Sequence, residues 1–74
     1  MATIQEVKTM KLNVRKIKLI LAEKGMSQAD LAIKCGMNRQ QINGVLSREV
    51  CTLKTLGRIA KALDVSVAEI VKED

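Results

Sequence analysis

From residue 13 onward, apolar side chains recur at helical spacing through Val14, Ile17, Ile20 and Leu21, and the run closes on Lys24 and Gly25, a basic last turn followed by a glycine stop. The pattern predicts a first helix over 14–24. Residues 1–12 hold no sustained period and carry Lys8 and Lys11, so they read as an N-terminal arm, poorly ordered or fraying into the first helix, ahead of a domain spanning 13–74. Ser27 and Asp30 have the spacing of a capping box, in which a serine oxygen and an acid satisfy the free amides of a new helix; that helix runs over 28–35 and must stop at Gly36. Asn38 and Gln41 repeat the device and open a third helix over 39–47. Thr52 caps a fourth that turns Leu53, Leu56, Ile59, Ala60 and Leu63 inward. Ser66 and Glu69 form another capping box before a fifth helix with Val67, Ile70 and Val71.

Composition narrows the architecture these helices can build. Hydrophobic residues make up 47% of the chain, yet Phe, Tyr, Trp and Pro are all absent, so the core is aliphatic and the turns are not proline turns. That favours an all-α, compact five-helix bundle over a sandwich or barrel. With 74 residues the chain makes one domain, near the size at which burial barely offsets the entropy of ordering.

Charge and missing chemistry bound the function. Thirteen Lys and Arg against eight Asp and Glu leave a net charge of +5, which suits a polyanionic partner. Without aromatic rings to stack on bases, duplex DNA is favoured over single strands. There is no His or Tyr and no evident acid pair, and Cys35 and Cys51 lack a neighbouring base, so an enzyme is not expected. Nor can two cysteines without histidine complete a metal site, and no cofactor or small-molecule ligand is implied. Both cysteines read as thiols of a reducing compartment, Cys35 as a small buried residue where two helices cross. No apolar run reaches the roughly 18 residues of a membrane span and no secretion signal opens the chain, so a cytoplasmic protein is expected.

The informative stretch runs from Gln28 to Ser47: a short helix, a turn at 35–38, and a second helix, the anatomy of a helix-turn-helix. Gly36 suits the left-handed residue of the turn, Ala32 lets the helices approach, and Met37 and Ile42 plug the angle between them. At about 100° per residue, Ile42, Val45 and Leu46 fall on one side of the third helix. Gln40, Asn43, Gly44 and Ser47 fall on the other, flanked by Arg39 and Arg48. That outer face carries no carboxylate, and Arg, Gln and Asn are the side chains that pair with guanine and adenine edges in the major groove. Gly44 costs a helix about 1 kcal/mol relative to alanine; a close approach of DNA to the backbone explains it, and so does a local packing constraint.

The segments MSQADLAIKCGMNRQQINGVL and TLKTLGRIAKALDVSVAEIV together resemble the phage repressor and Cro-like helix-turn-helix family over residues 14–71. The resemblance implies a lambda-repressor-like DNA-binding domain that regulates transcription, most simply as a repressor, bound as a homodimer to an inverted repeat of double-stranded DNA. It implies that Arg39, Gln40 and Asn43 read bases and that Gln28, Asn38, Gln41, Ser47 and Arg48 hold the DNA backbone. Where members carry a paired Arg and Glu this chain has Leu21 and Leu46, an apolar substitute expected to bring the two leucines into contact. Where members often carry a glycine after the third helix it has Arg48. Val65, Val67, Ile70 and Val71 are candidate dimer-interface residues, with closure of the core as the competing assignment. The rival function is a protein-binding regulatory module, an antitoxin or adaptor, built on the same bundle.

Overall fold

The computed structural model describes residues 9–72. In chain order it holds β1 (Thr9–Lys11), α1 (Val14–Lys24), α2 (Gln28–Cys35), α3 (Arg39–Arg48), β2 (Val50–Thr52), α4 (Leu53–Leu63) and α5 (Val67–Ile70). The helices begin where the capping residues place them. Asn13 Oδ1 accepts from the Lys16 amide at 3.1 Å, and Thr52 Oγ1 accepts from the Thr55 amide at 3.2 Å. Gly25 and Gly36 close α1 and α2 with left-handed φ of 66° and 74°, the conformation in which a residue without a β-carbon is unstrained.

One cluster of aliphatic residues holds the domain together. Leu12, Ile17, Leu31, Ile42, Ile59, Leu63 and Ile70 are its fully buried side chains, and no polar or charged side chain among the described residues is buried with them. Leu21 and Leu46, each 5% exposed, belong to the same buried cluster. Cys35 and Cys51 are free, buried thiols; Cys35 lies where α2 meets α4, its Sγ 3.8 Å from the Arg58 carbonyl oxygen. Burial pushes both thiols above their ordinary pKa, an effect the Arg58 charge partly offsets at Cys35.

Four features depart from the sequence expectation. First, residues 9–12 are not an arm: β1 pairs antiparallel with β2, with Thr9 opposite Thr52, Met10 opposite Cys51 and Lys11 opposite Val50, and Leu12 enters the core at 0% exposure. Three-residue strands are too short for an alternating pattern to announce them. The remainder of the expected arm, residues 1–8, lies outside the described residues, as do residues 73–74. Second, α5 is a single turn of four residues, and Ser66 Oγ accepts from the Ala68 amide at 3.2 Å rather than from Glu69, so no capping box forms there. Third, Leu53 is 50% exposed: it falls on the apolar side of α4, but at the first position of the helix, beyond the end of the core. Fourth, Arg48 remains helical and the left-handed residue after α3 is Glu49, at φ 61°.

Candidate nucleic-acid interface

The helix-turn-helix is built by two reciprocal caps. At the start of α2, the Ser27 amide donates to Asp30 Oδ2 at 2.9 Å and the Asp30 amide donates to Ser27 Oγ at 3.0 Å. Those bonds hold the Asp30 carboxyl below its ordinary pKa, so the carboxylate form of the cap is present at neutral pH and its contribution fades as pH falls through the folded-state value. At the start of α3, the Asn38 amide donates to Gln41 Oε1 at 3.0 Å and the Gln41 amide donates to Asn38 Oδ1 at 2.8 Å. This box uses the acceptor half of both side-chain amides. Their NH2 groups stay available on exposed residues, and a phosphate needs donors.

Helix α3 buries Ile42, Val45 and Leu46 and leaves Arg39, Gln40, Asn43, Ser47 and Arg48 exposed, the division expected from its periodicity. Gln28, the first residue of α2, meets this face: it lines a shallow recess of about 210 Å³ together with Asn43, Ser47, Leu46 and Lys18. Two expected base or backbone contacts of α3 and the expected phosphate anchor of α2 therefore share one surface. Lys18 is the member that sequence reading misses. Helical spacing marks it as outward on α1, but only the fold shows that it borders the same recess as Asn43 and Ser47.

The structure separates the two explanations of Gly44. A β-carbon built there meets as its nearest neighbours only atoms of the Arg48 guanidinium end, the closest at 3.4 Å, which is ordinary contact with a flexible group. Packing within the chain does not demand glycine at this position. Gly44→Ala is therefore expected to raise stability by about 1 kcal/mol through helix propensity while weakening DNA binding. Thermal unfolding and a binding titration on the same sample check both signs, and undiminished affinity would exclude a close approach of DNA at this position.

The candidate interface residues on the last turn divide. Ile70 is fully buried in the core of a single chain and has no side-chain surface to give a partner, which is the competing assignment weighed for it. Val67 is 44% exposed, whereas Val65 and Val71 are partly buried against the core.

Five capped helices, a tight turn at Gly36 and an acid-free outer face on α3 define an all-α helix-turn-helix DNA-binding domain. The chain belongs to the Cro/C1-type helix-turn-helix DNA-binding family, whose model matches residues 16–72. It is accordingly a DNA-binding transcription regulator and not an enzyme. Solved structures place it near restriction-modification controller proteins. The crystal structure of C.AhdI from Aeromonas hydrophila is 28% identical with a TM-score of 0.68, over 76% of this chain and 86% of that one. Wild-type C.Esp1396I is similar at 42% identity and a TM-score of 0.64, over 72% of this chain and 70% of that one. No curated protein sequence matches the chain. Among the described residues, no helix is long and apolar enough to cross a membrane.

Proposed function

We propose that the chain binds an inverted-repeat operator as a homodimer in the cytoplasm and represses transcription there, in the manner of a small controller protein. The observation that carries the reading is the acid-free face of α3, exposed at Arg39, Gln40 and Asn43 and joined across one recess to Gln28. In this reading Arg39, Gln40 and Asn43 select base pairs, while Gln28, Asn38, Gln41, Ser47 and Arg48 fix the register on phosphates. A dimer sets two α3 helices roughly 34 Å apart, one turn of duplex, so that each reads a half-site. Val67, with Val65 and Val71 beside it, supplies apolar surface for pairing. Repression is the simplest outcome because occupying an operator excludes polymerase without any further surface.

Gln28→Ala separates anchoring from reading. As a phosphate contact it is expected to cost about 1.5–3 kcal/mol of affinity on the operator and on a scrambled duplex alike, measured by fluorescence anisotropy. A loss confined to one operator position would give Gln28 a base-reading role instead.

On the side of a protein-binding module stand the exposed apolar side chains Ile33, 77% exposed on α2, and Leu19, 57% exposed on α1. Apolar anchors are what protein interfaces use, and the outer face of α3 has none.

A further inference from the structure

Lys18 lines two recesses at once. On one side it joins Gln28, Asn43 and Ser47; on the other it joins Arg15, Glu49 and Lys72 in a wider recess of about 460 Å³. Glu49 and Lys72 in turn border a third recess with Arg48 and Val50. The three adjoin through these shared lining residues as one strip, from the outer face of α3 past the start of α1 to Lys72 and the chain that follows α3. Its charge is one-sided. Arg15, Lys18, Arg48 and Lys72 are exposed on it, and Glu49 is the single acid among the described lining residues.

Sequence gives no hint of this strip, because its cations come from three separate places in the chain. Arg15 and Lys18 lie one turn apart on α1, and Lys72 is brought alongside by backbone pairing, its amide donating to the Lys11 carbonyl oxygen at 2.9 Å. The two chain segments are thus held in register by the same hydrogen bonds that seat Leu12. A basic strip continuous with a helix that enters the major groove meets phosphates wherever the duplex continues past the half-site, since B-DNA presents a charge about every 1.7 Å along its axis.

We propose that this strip holds the sugar-phosphate backbone of DNA flanking each half-site, with Arg15 and Lys72 as phosphate contacts outside the sequence that α3 reads. The proposal rests on the DNA-binding reading above and extends its footprint. Such contacts add affinity without sequence information, and counterion release makes them visible in the salt dependence of binding.

The test uses an operator recovered by selection from random duplexes, either cut at the outer edges of its half-sites or extended by about five base pairs, half a helical turn, on each side. The intact chain is expected to bind the extended duplex more tightly, and the double variant Arg15→Gln, Lys72→Gln is expected to bind the two equally. On the extended duplex, the slope of log K against log salt concentration is expected to fall by about 1.8 per bound chain, the signature of two lost phosphate contacts. Both residues are exposed, and thermal unfolding checks that the variant keeps the fold. An unchanged slope, or flanks that add nothing for the intact chain, overturns the strip. Failure of the underlying reading looks different: the intact chain would then not distinguish the operator from a scrambled duplex of the same length.

Discussion

Leu12→Ala is expected to cost about 2–5 kcal/mol of stability, the range for truncating a fully buried leucine whose cavity the surroundings refill only in part. Leu12 is at 0% exposure, and the backbone around it ties three segments together. Its amide donates to the Glu49 carbonyl oxygen at 2.8 Å, and the Asn13 amide donates to the Ile70 carbonyl oxygen at 2.8 Å. Leu12 also bridges Val71. A domain of this size has a total stability of about 4–11 kcal/mol at the usual 0.05–0.15 per residue, so the substitution removes a large share of it. Thermal unfolding followed by circular dichroism is expected to show a midpoint at least about 8 °C lower, at about 4–8 °C per kcal/mol. Thr9→Ala, at an exposed strand position, is the matched control with little effect. A Leu12→Ala midpoint equal to that of the parent would mean that residues up to 12 are an arm after all.

The second large effect is on sequence discrimination. Arg39 is the first residue of α3, exposed and placed directly after the Asn38 cap, at the end of the helix proposed to enter the groove. A bidentate arginine–guanine contact is worth about 1–3 kcal/mol against the wrong base pair. Arg39→Ala is therefore expected to flatten the preference at one operator position about tenfold while the unfolding midpoint stays where it was. Competition titrations with single-position operator variants measure this. Undiminished preference at every position would remove Arg39 from the set of base-reading residues.

How much of this was legible in the sequence depends on whether the governing interaction is local. The caps at Ser27 and Asp30, at Asn38 and Gln41, and at Thr52 are pairings between residues three apart, and the structure forms each as its spacing predicts. The division of α3 into a core side and an outer side follows from helical period alone. Ser66 has the same spacing to Glu69, but a one-turn helix gives the cap a nearer amide at Ala68. Leu53 keeps the period but lies past the end of the core, because period fixes direction and not depth. The β1–β2 pair, the burial of Leu12 and the recess that Lys18 shares with Asn43 and Ser47 all depend on segments distant in sequence, and no local pattern announces them. After α3 it is Glu49, and not Arg48, that takes the left-handed conformation, so the turn forms one residue later than expected and without a glycine.

The most direct measurement is selection from a random duplex pool at physiological salt, with footprinting of the recovered sequences. The account predicts an inverted repeat whose half-sites are centred about one helical turn, 10–10.5 base pairs, apart, with protection on one side of the duplex. Recovery of no consensus, with affinity that depends on salt and not on sequence, would contradict it.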